Sequence, residues 1–182
     1  MRMRTLASLL AISLVAVTAC GGDAPDAKTP TSAKSAGGGD GKGVKTGDKA
    51  PVFSIDSMNG QGKVAVATGK VRIVDFWATW CEPCKKSFPK YQELYAKYKS
   101  KGLEVIAFSG DDEKKDIPDF IKTYGAKFPV GWDQGHDIAS CWKPATNPTA
   151  YIIDKKCVVR HIHNEWHPGD EKTLEDQIKA LL

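Results

Sequence analysis

The apolar and polar positions of residues 47–182 form strand-like runs separated by segments with helical spacing. Six short runs rich in β-branched and aromatic residues predict strands: "PVFSI", "KVAVA", "VRIVDFWA", "LEVIAFS", "TAYIID" and "CVVRHIH". Apolar residues at helical spacing predict four helices: "CKKSFPKYQELYAKYKS", where Pro89 should cause a kink, "IPDFIKTYG", "HDIASCW" and "DEKTLEDQIKALL". The short segment "FPVGW" precedes the third helix.

The order of these elements predicts the fold class. An Asn-Gly turn signal joins the first two strands into a hairpin. Behind this hairpin the order is β-α-β-α-β-β-α, with Asp116 as the N-cap of the second helix and Gly125 at its end. The pattern therefore predicts an α/β fold in three layers, a mixed central sheet with helices on both faces, and an N-terminal β-hairpin extension.

The first residues have the layout of an export signal. Arg2 and Arg4 precede a small-residue apolar run, "LASLLAISLVAVTA", which ends at Cys20 and is too short for a comfortable membrane span. The sequence "VTAC" resembles a bacterial lipobox, which implies that residues 1–19 are a signal peptide and that Cys20 carries lipid chains. An ordinary cleaved signal with an incidental cysteine is the alternative.

Residues 20–46 predict a flexible linker between the lipid anchor and the domain at 47–182. The segment is rich in Gly, Ala, Ser, Lys and Pro and has almost no large apolar side chain, so it cannot bury enough surface to fold. A tether of this length spans roughly 25–30 Å on average, which lets the domain meet partners near the membrane. These features predict an extracytoplasmic protein, lipid-anchored to a bacterial membrane on its periplasmic side.

Charge and cysteine content narrow the functional classes. The 182 residues include 26 Lys and Arg against 22 Asp and Glu, and the excess comes largely from the signal and linker. This balance in the domain argues against a nucleic-acid partner. Export would place the protein where disulfides persist, so the four cysteines of the domain can be oxidised.

The motif "CEPC" places Cys81 and Cys84 at the start of a helix that follows a buried strand. A structural zinc site would need four ligands, and a structural disulfide across so short a loop would restrain little of the unfolded chain. At a helix N-terminus, by contrast, backbone N–H groups and the helix dipole stabilise a thiolate. The arrangement predicts a redox dithiol in which an exposed Cys81 attacks, Cys84 resolves the mixed disulfide, and Pro83 restricts the turn.

The segment "VDFWATWCEPCKKSFP" resembles the active site of the thioredoxin superfamily. The two lysines after "CEPC", the hairpin region "GDKAPVFSIDSMNGQGK" and the later "NPTAYIID" are similar to the membrane-anchored TlpA/ResA-like thiol:disulfide oxidoreductases of cytochrome c maturation. The resemblance implies a thioredoxin-like fold. It also implies that Pro148 is a cis-proline facing the cysteines and that the backbone of Asn147 pairs a substrate strand, although Thr or Val is commoner than Asn there. The alternative is a trans proline that merely starts a strand.

The resemblance also assigns Asp75 to the buried acid of thioredoxin, beneath the cysteines. A carboxyl group in an apolar strand should have a raised pKa, which suits proton exchange with Cys84. A solvated or salt-bridged aspartate at a strand edge is the alternative. Glu82 should disfavour the thiolate of Cys81 and so favour a reductant, unless solvent screens its charge. Trp80 either packs or shields the sulfurs and offers a partner a flat apolar surface.

Two sets of residues fall outside the family pattern. A second disulfide between Cys141 and Cys157 is favoured slightly over two separate buried thiols, and Cys157 occupies a turn position where glycine is common. The segment "HIHNEWH" places His161 and His163 on one strand face with His167 following, which raises the alternative of a copper-binding chaperone. Solvated histidines at a strand end are the preferred interpretation, so we expect no metal site.

The sequence therefore predicts a thioredoxin-like thiol:disulfide oxidoreductase that reduces disulfides in exported proteins. By resemblance, its substrate class includes the haem-attachment cysteines of apocytochrome c, and a membrane thiol relay should recharge it. We expect a monomer that needs no bound cofactor. A disulfide-forming oxidase is the alternative enzyme, and the reduction potential would separate the two.

Overall fold

The computed structural model describes residues 43–66 and 68–182. The predicted signal peptide, Cys20 and most of the predicted linker lie outside these residues. The elements follow the predicted order and are β1 Ser54–Asp56, β2 Lys63–Ala65, β3 Val71–Trp77, α1 Glu82–Tyr98, β4 Leu103–Ser109, α2 Ile117–Tyr124, β5 Val130–Trp132, α3 Asp137–Trp142, β6 Thr149–Ile153, β7 Val159–Asn164 and α4 Asp170–Leu181, with 3₁₀ turns at Lys99–Lys101 and Gln134–His136.

The central sheet is mixed, as predicted. Its five strands lie in the order β5-β4-β3-β6-β7, with β3 parallel to β4, β4 parallel to β5, and β6 antiparallel to both β3 and β7. The β1–β2 hairpin forms a separate two-stranded sheet. The segment "FPVGW" contains the edge strand β5, where Gly131 lets Ile55 of the hairpin approach closely, because a Cβ there would lie 3.0 Å from the Ile55 side chain.

Strand β3 is buried on both faces, and its alternating side chains separate two clusters. Val71, Ile73 and Trp77 pack on the side covered by α1, α2 and α4. Val74 and Phe76 pack on the other side, against the hairpin and α3. The three-layer arrangement is therefore confirmed, and it places the C-terminal end of β3 between two apolar layers.

Two helix details refine the sequence prediction. Helix α1 is assigned as one element through Pro89. Helix α2 begins after Asp116 and ends at Gly125, whose φ of 67° suits glycine, as predicted. The side chain of Asp116 makes no capping hydrogen bond among the described residues, so the expected cap is wrong in its contact although right in its position.

The described chain packs against the domain from its first residues. The N–H of Val44 donates to the carbonyl oxygen of Trp142 at 3.1 Å, and that of Gly47 donates to Val159 at 2.8 Å. Contacts therefore begin within the segment predicted as the end of the linker. Of the helices in residues 43–66 and 68–182, none has the length and apolar character needed to cross a bilayer.

Candidate active site

The cysteine pair lies where β3 gives way to α1. Cys81 is the N-cap of this 17-residue helix, and its Sγ accepts a hydrogen bond of 3.2 Å from the N–H of Cys84. Glu82 and Pro83 are the first two helical residues, and proline at this position lacks only an N–H that the helix would not use. The two sulfurs form a disulfide with a Cα–Cα distance of 5.3 Å, so the structure shows the oxidised form.

The disulfide form buries both cysteines. Cys84 is fully buried and only 3% of Cys81 is exposed, so the predicted exposure of Cys81 at the turn is wrong for this form. Its sulfur is bonded to a deeper neighbour and belongs to the core cluster beneath α1. Trp80 is 68% exposed directly beside the pair, whereas Trp77 is buried. The surface that a partner meets first is therefore the Trp80 indole.

Asp75 lies on the face of β3 that packs under α1, between Ile73 and Trp77. It is fully buried, and the hydroxyl of Tyr91 donates to its Oδ1 at 3.2 Å. Burial raises the pKa of Asp75 well above its ordinary value, and the Tyr91 hydrogen bond offsets this only in part. Its Oδ2 has no hydrogen-bond partner among the described residues, which leaves one carboxyl oxygen for a proton. The strand-edge alternative for Asp75 is excluded.

Tyr91 is a site residue that sequence reasoning placed in the core. Cys84, Phe88 and Tyr91 occupy one buried face of α1, at spacings of four and three residues. Burial and the neighbouring Asp75 raise the pKa of Tyr91 well above its ordinary value. A buried tyrosine seven residues after the second cysteine was the available signal, but only the packing shows that it reaches the acid.

The proline segment meets the cysteine segment at one end of the sheet. Phe76 of β3 pairs with Thr149 of β6, so the residues just beyond each, Trp77 and Pro148, lie at the same edge. The Asn147–Pro148 peptide bond is cis, as the resemblance implied. Thr149 fixes the approach to it by donating to the Thr146 carbonyl oxygen at 2.7 Å. Among the described residues, the backbone of Asn147 is hydrogen-bonded to no other backbone group.

A cavity of about 390 Å³ opens beside this edge. Most of its wall is apolar and aromatic, and its polar lining comes from Asp133, His136, Thr146 and Asn147. It is lined by Phe76, Trp77, Trp80, Phe108, Gly110, Asp133, His136, Ala139, Pro144, Thr146 and Asn147. The site thus combines a dithiol at a helix N-terminus, a buried acid, a cis-proline and a recess large enough for substrate side chains.

Comparison with known proteins identifies the relationship. The model of the family described as AhpC/TSA matches residues 46–162. The chain belongs to the AhpC/TSA family. This match runs from the hairpin through the cysteine pair and the cis-proline to β7, so it includes every element that forms the site.

Two relatives of known name define the activity more closely. The chain is 36% identical over 141 residues to the thiol-disulfide oxidoreductase ResA of Bacillus thuringiensis subsp. konkukian (strain 97-27), covering 76% of this chain and 79% of that protein. It is 34% identical over 112 residues to ResA of Bacillus subtilis (strain 168), covering 61% and 63%. The protein is a thiol:disulfide oxidoreductase of thioredoxin-like fold.

Solved structures support the same assignment. A Chlorobium tepidum protein named as a thiol:disulfide interchange protein of DsbE type matches with a TM-score of 0.70 and 35% identity, over 76% of this chain and 98% of that one. StoA from Bacillus subtilis matches with a TM-score of 0.60 and 22% identity, over 70% and 96%. At that identity the StoA match shows the fold alone.

Glu82, between the two cysteines, is exposed to solvent and forms an ion pair with Lys85. Its side chain is 76% exposed and forms an ion pair and hydrogen bond with Lys85, one turn along α1. The hydrogen bond to Glu82 raises the pKa of Lys85. The negative charge that was expected to act on Cys81 is therefore partly balanced by a positive charge on the same face.

Replacing Glu82 by Gln should make the reduced Cys81 thiol titrate at lower pH, since the nearest negative charge is removed and the thiolate becomes less unfavourable. The shift should be small because solvent screens both side chains. The matched variant Lys85→Gln should move the titration to higher pH by leaving Glu82 unbalanced. Thiolate absorbance followed against pH measures both, and identical titrations in all three proteins would remove Glu82 from the control of reactivity.

The other two cysteines of the domain, Cys141 and Cys157, belong to one apolar cluster. Cys157 is buried in the β6–β7 turn with φ of 59°, which explains why a glycine would suit that position. Cys141 lies on α3, half-buried against the same apolar cluster. The second disulfide between Cys141 and Cys157 stays a prediction.

The histidines of β7 are engaged in separate contacts. His163 is within 2.7 Å of the Gln177 side chain, and His167 lies 3.5 Å from a carboxylate oxygen of Glu165. Burial, with His163 and Arg160 nearby, lowers the pKa of His161. Within residues 43–66 and 68–182, no three His, Cys, Asp or Glu side chains converge as a metal-binding group. No observation therefore favours the copper-chaperone alternative.

Proposed function

We propose that this oxidoreductase reduces disulfides in exported proteins outside the cytoplasmic membrane. The observation that carries the proposal is the position of the Cys81–Cys84 pair. It lies at the N-terminus of α1, near cis-Pro148 and the cavity that Trp80 lines. The resemblance of the "CEPC" segment to the membrane-anchored oxidoreductases of cytochrome c maturation favours disulfides of apocytochrome c haem-attachment cysteines as a substrate class. The haem-attachment pattern is Cys-x-x-Cys-His, whose two thiols must be reduced before they can bond the haem.

The reaction is a two-electron exchange between two disulfide pairs. The Cys81 thiolate attacks one substrate sulfur, forms a mixed disulfide and releases the other substrate sulfur as a thiolate. Cys84 then loses its proton to Asp75 and attacks the Cys81 sulfur, which releases the second substrate thiol. The substrate is reduced and the enzyme ends in the Cys81–Cys84 disulfide, the form that the structure shows.

The N-terminus of α1 favours the first step of this exchange, and the buried Asp75 favours the second. The α1 N-terminus stabilises negative charge on the first sulfur. Cys84 lies deeper on the same helix face as Tyr91, whose hydroxyl contacts Asp75, so the acid and the second thiol share one buried layer. A carboxyl group with a raised pKa is better suited than an ordinary aspartate to accept and return a proton.

Substrate docking uses the groups that surround the sulfurs without reacting. The backbone of Asn147 bonds no other backbone group in residues 43–66 and 68–182, so it can supply a donor and an acceptor for an extended substrate segment. Trp80 offers a broad apolar surface, and the neighbouring recess accepts a side chain of the bound segment. These contacts fit a flexible protein chain better than a small thiol.

Cellular location follows from the export signal and Cys20. Lipid chains on Cys20 would hold the protein at the outer side of a bacterial membrane, and residues 21–42 would carry the domain away from it. Outside the membrane no cytosolic reductant is at hand, so a membrane thiol relay would return Cys81 and Cys84 to thiols. We propose that the domain acts as a monomer, with the membrane relay and the exported substrate as alternating partners.

The reduction potential of the Cys81–Cys84 couple decides between reductase and oxidase. We expect a value nearer to that of thioredoxin, about −270 mV, than to that of a strong oxidant, about −120 mV. Equilibration of the domain with glutathione buffers, followed by thiol quantification, measures it. A disulfide-closed Cys-x-x-Cys-His peptide should then be reduced by the dithiol form, and a strongly oxidising potential with no peptide reduction would contradict the proposal.

A further inference from the structure

A second buried carboxylate lies beside the cysteine segment and has no part in the chemistry described so far. Asp111 follows β4 by two residues, and only 8% of it is exposed. β3 and β4 run parallel, with Trp77 opposite Ser109, so Asp111 and the residues after Trp77 leave the sheet at the same edge. The loop that carries Trp80 and Cys81 is therefore adjacent to Asp111.

The carboxylate holds this loop through Thr79. The backbone N–H of Thr79 donates to both carboxylate oxygens, at 3.0 and 3.1 Å, and its hydroxyl donates to Oδ1 at 2.7 Å. Thr79 thus gives both of its hydrogen-bond donors to one side chain on the neighbouring strand. Cys81 follows two residues later, and its own N–H turns back to the Ala78 carbonyl oxygen at 3.1 Å.

Asp111 is itself fixed by the sheet. The hydroxyl of Ser109 donates to Oδ2 at 2.5 Å and accepts from the N–H of Asp111 at 3.1 Å. The indole N–H of Trp132, on β5, donates to the Asp111 carbonyl oxygen at 2.8 Å. The donors of Thr79 and Ser109 therefore converge on the carboxylate, and Trp132 of β5 fixes the backbone beside it. These contacts connect the rigid sheet to the segment before the disulfide.

We propose that Asp111 is a positioning residue for disulfide exchange. It fixes Thr79, and through Thr79 it sets where the Trp80 indole and the Cys81 sulfur stand at the start of α1. A carboxylate suits this role because it offers only acceptors to the three converging donors. An asparagine of the same shape offers one acceptor oxygen and one N–H₂ group, so it cannot accept from all three donors in the same arrangement. The inference rests on the dithiol exchange of the proposed function, but not on its client.

The test compares five variants under equal conditions, with a small aromatic disulfide as the probe. In the reduced protein, the exchange rate rises with pH to a plateau where Cys81 is fully ionised, and the plateau reports access and geometry rather than thiol acidity. Asp111→Asn should lower this plateau about tenfold, since small misplacements of a reacting group cost one to two orders of magnitude. Thr79→Val, which removes only the hydroxyl, should lower it about threefold, and Thr79→Ser should retain it.

Asp154→Asn is the matched control. Asp154 is also 8% exposed and accepts from backbone N–H groups at 2.8 and 3.0 Å, but it lies in the β6–β7 turn at the opposite end of the sheet. It should lose stability in urea unfolding while its plateau rate stays within about twofold of the parent. A merely structural role of Asp111 would make the two variants alike in both measurements.

The double variant Asp111→Asn with Thr79→Val completes the cycle. Because both changes break one contact, the double variant should exchange no more slowly than Asp111→Asn alone. A parental plateau in folded Asp111→Asn, or effects of the two changes that multiply, overturns the proposal. If Asp111→Asn does not fold, the contrast between Thr79→Val and Thr79→Ser decides, and equal rates in those two overturn it. Failure of the parent to reduce the peptide disulfide while it exchanges with the aromatic probe would refute the client and leave this inference standing.

Discussion

A Cys84→Ser variant should accumulate a covalent complex with its substrate, whereas Cys81→Ser should form none. Cys81 makes the first bond to the substrate sulfur, and Cys84 is required to break it. Serine keeps the size of the buried side chain, but its hydroxyl cannot displace a thiolate from a disulfide. Steady-state reduction should fall in both variants by on the order of 10³-fold or more, since each lacks a reacting atom.

Electrophoresis without a reducing agent measures the difference directly. Cys84→Ser mixed with the disulfide-closed Cys-x-x-Cys-His peptide should gain the mass of one peptide and lose it on addition of dithiothreitol. Cys141→Ser is the control, because it removes a half-buried cysteine on α3 that lies outside the helix N-terminus. It should retain turnover and trap nothing.

The opposite result would reassign the two sulfurs. If Cys81→Ser trapped the peptide and Cys84→Ser did not, the first attack would come from the fully buried sulfur, and α1 would have to move to expose it. If neither trapped it, the pair would not exchange disulfides with a protein chain at all. Because Cys81 is buried in the disulfide form, the trapping result reports whether its sulfur is accessible in the reduced protein.

The fold was predictable because each element carries its own pattern. β3 is apolar on both faces and needed a central place in a sheet, while α1 and α4 each show one apolar stripe. Cys81, Cys84 and Pro148 were recognisable because their spacing, neighbours and order along the chain resemble one superfamily. These signals are local or belong to a motif, so a single sequence reveals them.

The contacts between distant segments were not predictable. Asp111 and Thr79 are 32 residues apart, and Asp111 stands in no recognisable motif. Tyr91 has the spacing of any core aromatic residue, and only the packing of α1 on β3 brings its hydroxyl to Asp75. The ion pair of Glu82 with Lys85, three residues along the helix, depends on which rotamer the lysine side chain adopts. Such features arise when the fold closes, and composition and periodicity do not encode them separately.

Asp75→Asn should change the dependence of both stability and exchange on pH. Burial raises the pKa of Asp75 above its ordinary value of 3.8, so between that value and the folded pKa the native state holds a proton that the unfolded chain has released. The free energy of unfolding of the parent therefore falls as pH rises through this window, and the loss is complete above the folded pKa. Asparagine does not titrate, so the variant should lack this fall and be the more stable protein at pH 8.

The rate of disulfide exchange should rise with pH over the window in which the stability of the parent falls. The ionised Asp75 accepts the Cys84 proton, so resolution of the mixed disulfide in the parent should accelerate as pH rises through the folded pKa of Asp75. The variant lacks the acceptor and should resolve at least about tenfold more slowly than the parent above that pKa. Stopped-flow measurement of release from a preformed Cys81 mixed disulfide isolates this step. An unchanged pH profile in Asp75→Asn would remove the acid from the mechanism.

Tyr91→Phe distinguishes a proton acceptor from a residue needed only for packing. The Tyr91 hydroxyl lowers the pKa of Asp75 by donating to Oδ1, so its removal should move the midpoint of the resolution profile to higher pH while leaving the high-pH plateau near the parental rate. Loss of packing alone would lower the plateau and leave the midpoint in place. Tyr91 is the only side-chain donor to Asp75 among the described residues. A midpoint that moves when this donor is removed means that Asp75 ionises in the measured pH range and that its ionisation controls the step. A permanently neutral Asp75 would not give that shift.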